Sequence, residues 1–344
     1  MKVSDFDYDL PEELIAQQPL PRRDSSRMLV VDRESGEIRH STFLEFPEHF
    51  SRGDVLVRNE TRVFPARIWG SREGKRIEFL FVRPGTAGDW QVLCRPAKRV
   101  QEGDAIVFTP SLTGIVTEVG QEGQRVISFG DADVPAELRQ EGFAPLPPYI
   151  KRKREHDHLR ETDLERYQTV FARGGGNSIA APTAGLHFTP RLLEELVRGG
   201  VEAAPLCLDV GLATFQPVRV ESVEDHGMLE ETYSIPEQSA RSINAALETG
   251  RPVTAVGTTS VRALESAAAG GRVRPGSDAT RMFIYPEYRF QVVGRLLTNF
   301  HLPRSTLLML TAAFGGYELI RRAYREAVQE RYRFFSYGDC MLIK

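Results

Sequence analysis

The sequence predicts an α/β body with an inserted all-β barrel, two domains within 344 residues. Three observations carry that expectation. From Gly53 to Phe129 short β-rich runs such as "RIEFLFVR", "WQVLCRPA" and "QRVISF" alternate with turn signals, among them Arg83-Pro84-Gly85 and Gln121-Glu122-Gly123; small barrels and sandwiches read this way. The proline-rich "APLPPYIKRKREHD" ends this region, because Pro145, Pro147 and Pro148 continue neither a ladder nor a helix. After about Tyr149 helical segments alternate with short apolar strands, the texture of an α/β domain. The boundaries expected are 61–149 for the barrel and 1–60 plus 150–344 for the body.

Within the body, "TPRLLEELVRGG" is punctuated as a helix. Thr189 can cap the free amides, Pro190 suits the first turn and Gly199 can take a left-handed stop. Leu192, Leu193, Leu196 and Val197 supply its expected buried stripe. "VEAAPLCLDV" reads as a strand, "PEQSARSINAALETG" as a helix, "PVTAVG" as a buried strand and "SVRALESAAAGG" as a helix. In "YELIRRAYREAVQERY", Leu319, Ile320, Ala323, Ala327 and Val328 share one face and arginines the other. That face is expected to pack inward.

Composition narrows the class. With 41% hydrophobic and 26% charged residues the chain can bury a core. A net charge of −3 gives no global signature of a nucleic-acid binder, although Lys151-Arg152-Lys153-Arg154 forms a local basic cluster that is either a solvated loop or an RNA contact. Cys94, Cys207 and Cys340 are far apart, arguing against a disulfide framework or structural zinc and for a reducing cytoplasm. The acidic N-terminus lacks an apolar core and no run approaches the length of a membrane span, so a soluble, cytoplasmic protein is expected. His156-Asp157-His158 has no third ligand, and no metal is assigned.

Several junctions could carry chemistry. "AVGTTSVRALES" sets Gly257, Thr258, Thr259 and Ser260 between a strand and a helix, where open amides at the positive end of a dipole receive an anion, or where a hydroxyl merely caps the helix. The absence of Gly-Lys-Ser/Thr and of G-x-G-x-x-G speaks against ATP and NAD. "AAPTAGLHFTPRLL" places Thr183, Gly185 and His187 in a small-residue loop, where the imidazole either moves a proton or is a satisfied core group. "RNETRVFPARIWG" offers Asn59, Thr61, Arg62 and Arg67 to a phosphate or a base edge, or as an ordinary surface set.

Taken together, "FDYDLPEELIAQQPLPRRDSSRML", "LVRNETRVFPARIWG", "PLPPYI", "ERYQTVFA", "IAAPTAGLHFT", "TFQPVRVESVEDH", "AVGTTSVRALESAA", "TNFHLPRSTLLML" and "YRFFSYGDCMLI" closely resemble, in order and over nearly the whole chain, the S-adenosylmethionine:tRNA ribosyltransferase-isomerase family of queuosine biosynthesis. The resemblance implies transfer and isomerisation of the ribosyl moiety of S-adenosylmethionine onto 7-aminomethyl-7-deazaguanine at the tRNA wobble position. Epoxyqueuosine-tRNA forms, and adenine and methionine leave. It implies S-adenosylmethionine as cosubstrate, tRNA as partner, no resident cofactor and no metal; a monomer is expected. The sulfonium acidifies the adjacent C5′ hydrogens, so positioned proton carriers are needed. The candidates, in order, are His301, His187, Asp339 and Glu265. His301 ranks first because Pro303 holds "FHLP" extended and Ser305 starts the next helix. Thr183, Gly185, Thr258, Thr259, Ser260, Arg262 and Asn299 are expected at the nucleoside and methionine, with His226 and Glu231 as secondary candidates. Asn59, Thr61, Arg62, Arg67, Lys151 and Arg152 are expected at the RNA.

Two departures stand out. Where the family usually reads Leu-His-Val-Gly-x-Gly-Thr-Phe this chain has "LDVGLATF", with Asp209 for the histidine and Ala213 for a glycine. Where it reads Asp-His-x-Met-His-x-Glu this chain has "DHGMLEE", with Leu229 for the second histidine. An aspartate still accepts a proton and a leucine does not. The alternative is therefore a tRNA-binding relative that has lost the chemistry.

Overall fold

The computed structural model describes the chain except residues 153, 175–177 and 212–217, with backbone only at 154 and 155. Its strands are β1 (Arg27–Val31), β2 (Ile38–Thr42), β3 (Val55–Asn59), β4 (Arg67–Arg72), β5 (Lys75–Pro84), β6 (Asp89–Arg95), β7 (Ala105–Thr109), β8 (Leu112–Val119), β9 (Gln124–Ser128), β10 (Glu202–Leu208), β11 (Glu231–Ile235), β12 (Val253–Val256), β13 (Ala268–Ala269), β14 (Arg272–Val273), β15 (Gly276–Thr280), β16 (Arg295–Asn299) and β17 (Cys340–Ile343). The α-helices are α1 (Val134–Glu141), α2 (Arg160–Arg166), α3 (Pro190–Arg198), α4 (Glu237–Glu248), α5 (Thr258–Ala267), α6 (Thr306–Gly315) and α7 (Tyr317–Gln329).

Strands β4 to β9 close a barrel in the order β4-β5-β6-β9-β8-β7. Alternation decides its inside: in β5, Ile77, Phe79 and Phe81 are buried while their neighbours face outward. Helix α1, not anticipated from the sequence, seals the barrel with Val134 and Leu138; Asp133 caps it by accepting from the Ala136 amide at 3.0 Å.

The body is a nine-stranded sheet in the order β15-β11-β10-β3-β12-β16-β17-β1-β2. Its centre, β10, β3, β12 and β16, is parallel, and antiparallel strands flank it. Every residue of β12 is buried, as expected of a strand covered on both faces. Helices α4 to α7 pack on the face that presents Val55, Val57 and Ala255. The other face, with Leu56, Val256 and Leu297, receives α3 and the turn Phe43–His49.

Two local expectations are corrected. Val197 is 61% exposed, so α3 buries the narrower pair Leu192 and Leu196, with Leu193 partly covered. The left-handed stop falls on Gly200 (φ 84°), whereas Gly199 stays right-handed. Among the described residues no helix is long and apolar enough to cross a membrane.

Candidate active site

Open α/β sheets bind ligands outside the carboxyl ends of their parallel strands. Here Asp209 follows β10, Thr61 follows β3, Gly257 follows β12, and Asn299 ends β16 with His301 just beyond. Because β17 is antiparallel to β16 and parallel to β1, Asp339 and Ser26 reach the same edge. The edge is therefore continuous from Asp209 to Ser26.

At its β10 end the edge opens into a cleft of about 1030 Å³ between barrel and body. The barrel side contributes Phe64, Trp90, Arg83 and, from α1, Arg139; the body side contributes Asp209, Gly211, Leu229, Glu231 and Arg281. The Phe64 and Trp90 rings are stacked, 6.3 Å apart and 14° from parallel. Such a flat apolar pair suits a splayed nucleobase. Asp209 Oδ1 accepts from the Thr61 hydroxyl at 2.9 Å and from the Cys207 thiol at 3.7 Å, and among the described residues no bond engages Oδ2. Burial and Asp209 push the Cys207 thiol up to about 11, so it stays a protonated donor. Glu231 accepts from the Gly211 amide at 3.0 Å and pairs, buried, with Arg262. Arg262 also donates to the Met282 carbonyl at 3.1 Å, and its buried Nη2 has no partner. His226 lies outside this pair, half-buried with its ring 5.1 Å from that of Phe283; burial lowers its pKa.

In the middle of the edge, Gly257 takes φ 83°, ψ 156°, a conformation almost confined to glycine. Among the described residues no side chain caps α5, which leaves its first amides open beside Thr258 and Thr259. Ser260 is not part of that opening, because its hydroxyl donates to the Val256 carbonyl at 2.7 Å. Gly185 owes its size to packing: a Cβ there would lie 2.7 Å from the Phe171 ring. Thr183, two residues earlier, is partly exposed.

Farther along, His187 Nδ1 meets the Ser26 hydroxyl at 2.6 Å and its Nε2 meets Asn299 Nδ2 at 3.3 Å. Asn299 Nδ2 also donates to the Phe335 carbonyl at 3.0 Å, and its buried Oδ1 has no partner. Burial lowers the His187 pKa to about 4, so the ring is neutral at physiological pH. His301 is also neutral, lowered by burial to about 3, with Nε2 on the Thr298 hydroxyl at 2.7 Å. Its backbone N–H donates to Tyr324 Oη at 3.0 Å and its carbonyl accepts from Tyr8 Oη at 2.5 Å. The expected rigidity of "FHLP" comes from these two tyrosines as much as from Pro303. Ser305 caps α6 through the Leu308 amide, as read.

The two carboxylate candidates have both oxygens engaged. Glu265 Oε1 accepts the Val292 and Val293 amides, each at 3.0 Å, while Oε2 accepts Gln291 N at 2.8 Å and the Tyr288 hydroxyl at 3.1 Å. It is a loop clamp with full acceptors. Asp339 binds the Arg27 and Arg333 amides at 2.9 and 2.8 Å, one on each oxygen, and burial raises its pKa. It ties β1 to β17.

The expected RNA set divides in the same way. Asn59 and Thr61 are 1% exposed and spend their polar atoms inward: Asn59 accepts the Leu208 and Thr61 amides, and Thr61 bonds Ser178 and Asp209. The Arg152 side chain, 7% exposed, is held in a two-nitrogen contact with Asp163 at 2.7 and 2.9 Å. Lys151 is exposed and pairs with Glu12. Arg62 is exposed, and Arg67 is partly buried with its guanidinium 5.7 Å from the Phe143 ring. Lys153 and Ala213 lie outside the described residues. The stacked pair Phe64–Trp90 was missed, and only the scarcity of tryptophan, two in the chain, could have drawn attention to it.

The family model described as "Queuosine biosynthesis protein" matches residues 3–343. The chain belongs to this family. An S-adenosylmethionine:tRNA ribosyltransferase-isomerase from Symbiobacterium thermophilum is 52% identical over 348 residues, covering 100% of both chains. Its namesake from Thermotoga maritima is 47% identical, again over 100% of both. A crystal structure of S-adenosylmethionine tRNA ribosyltransferase from Thermotoga maritima is similar over 99% of this chain and 100% of that one, at 37% identity and a TM-score of 0.56. Membership thus rests on the whole length, barrel and body together.

Proposed function

We propose that this chain is an S-adenosylmethionine:tRNA ribosyltransferase-isomerase that works in the cleft between barrel and body. The observation that carries the reading is the pairing, across one cleft, of the Asp209 carboxylate, whose Oδ2 has no bond among the described residues, with the stacked rings of Phe64 and Trp90. The rings receive the 7-aminomethyl-7-deazaguanine turned out of the anticodon loop, where unstacking costs little. S-adenosylmethionine lies along the strand ends, its methionine carboxylate near the open amides of α5 and the unpaired Nη2 of Arg262.

The chemistry follows from the sulfonium, which acidifies C5′–H. Asp209 Oδ2 takes that proton, adenine departs as the sugar rearranges, and the exocyclic amine of the modified base attacks; methionine leaves last. Asp209 stands where the family usually has a histidine, so this departure keeps a proton acceptor in place. Leu229 adds an apolar wall to the same cleft. His187 and His301, neutral and hydrogen-bonded within the body, hold the strand ends in position.

The test supplies purified protein with S-adenosylmethionine and tRNA bearing the aminomethyl-deazaguanine and measures free adenine. Tight tRNA binding without adenine above the no-enzyme level would establish instead a relative that has lost catalysis.

A further inference from the structure

Beyond the cleft, at the Ser26 end of the strand edge, three guanidinium groups gather around the segment Gln18 to Pro21. Arg166 donates to the Leu20 carbonyl at 2.7 Å and the Pro21 carbonyl at 3.4 Å. Arg23 donates to the carbonyls of Glu165 at 3.0 Å, Leu186 at 3.3 Å and Arg166 at 3.4 Å, and Arg333 donates to that of Gln18. Among the described residues none of the three is ion-paired with a carboxylate, as Arg152 and Arg262 are. Two of their donors, Arg166 Nε and Arg333 Nη1, are buried with no acceptor at all.

Clustered positive charge is costly, and unmet buried donors add to that cost. Burial lowers Arg23 and Arg333 and the Arg166 charge lowers Arg23 further, while Glu165 and Asp339 offset this only in part. Beside Arg23 and Arg166 lies a void of about 20 Å³, lined by these two with Ser26, His187 and Tyr337 but not by Arg333. That volume holds one oxygen-sized atom and excludes a base or a sugar.

We propose that Arg23 and Arg166, with the charge of Arg333 nearby, form a phosphodiester site for the RNA substrate, with one non-bridging oxygen seated in this void. The site rests on the tRNA reading above. A carboxylate of the cosubstrate has the same oxyanion chemistry. Three permanent cations, however, match a polyanionic backbone better than one carboxyl group.

Arg166→Gln and Arg333→Gln are each tested in the full-length protein by filter binding of tRNA between about 50 and 200 mM salt. Each is expected to reduce the slope of log K against log salt by about 1 and to leave S-adenosylmethionine binding, read by equilibrium dialysis, unchanged. A wild-type slope and affinity in a folded variant overturns the site. Loss of cosubstrate binding with tRNA binding intact also overturns it, assigning the cluster to the carboxylate. If the Gln variants fail to fold, Arg166→Lys and Arg333→Lys keep the charge and lose the fork; weaker tRNA binding at an unchanged slope supports the site, and wild-type affinity overturns it. Wild-type protein that binds no tRNA removes the functional reading as well as this site, whereas wild-type turnover with unaffected variants removes the site alone.

Discussion

Glu265→Gln separates a clamp from a proton carrier. The native carboxylate takes four donors, three of them backbone amides. An amide offers one oxygen, and its NH2 must replace Oε1 or Oε2. Replacing Oε2 is less costly, because the Tyr288 hydroxyl can reverse and accept, leaving only the Gln291 N–H without an acceptor. Burial and Glu265 push the Tyr288 hydroxyl up to about 12, so it remains protonated either way. The two surviving amide bonds fall from charge-assisted to neutral, about 1 kcal/mol each, and the orphaned N–H costs about 1–3 kcal/mol, for a total of about 3–5 kcal/mol. For a chain of 344 residues that is a fall of about 4–7 °C in melting temperature. Scanning calorimetry and adenine release per folded molecule, measured well below the new midpoint, are the readouts. A variant that melts like wild type, or one that folds and has lost about 100-fold in turnover, refutes the clamp.

Three further outcomes follow from the same geometry. Asp209→Asn lowers kcat for adenine release by about 100-fold or more with little change in KM; unchanged turnover removes Asp209 as the base. His187 is depressed to about 4 in the folded protein, so below about 6.5 the unfolded chain binds the extra proton and stability falls as pH drops toward 4. Its share is about 3 kcal/mol, and His187→Gln should flatten that part of the urea-midpoint profile; parallel profiles refute it. Gly257→Ala forces a side chain into φ 83° and costs about 1–3 kcal/mol, checked by denaturant titration, with an unshifted midpoint as the contrary result.

The legible parts of the sequence were those in which one pattern dominates locally. Barrel strands such as β5 announce themselves by alternation, α3 by its cap and periodicity, and α6 by Ser305 at its start. Helix α1 was hidden because its eight residues give scarcely two turns of pattern. Site residues were harder, since residue type does not reveal how many partners a side chain has already found. Glu265 and Arg152 look available in the string and are saturated in the fold, by amides from residues 291–293 and by Asp163. Asp209 was noticed only as a departure, and the cleft it faces arises from segments far apart in the chain.

The position of β3 has a consequence for how the molecule is made. Its neighbours in the sheet are β10 and β12, and the whole barrel is threaded between β3 and β10. The Asn59 side chain that staples this junction bonds Leu208, 149 residues away, and β1 waits for a partner 312 residues downstream, where Arg27 meets Asp339. Barrel hairpins, by contrast, close over a few residues. Loop-closure entropy therefore orders assembly: the small module matures early on the ribosome, and the large sheet zips shut around an already folded passenger.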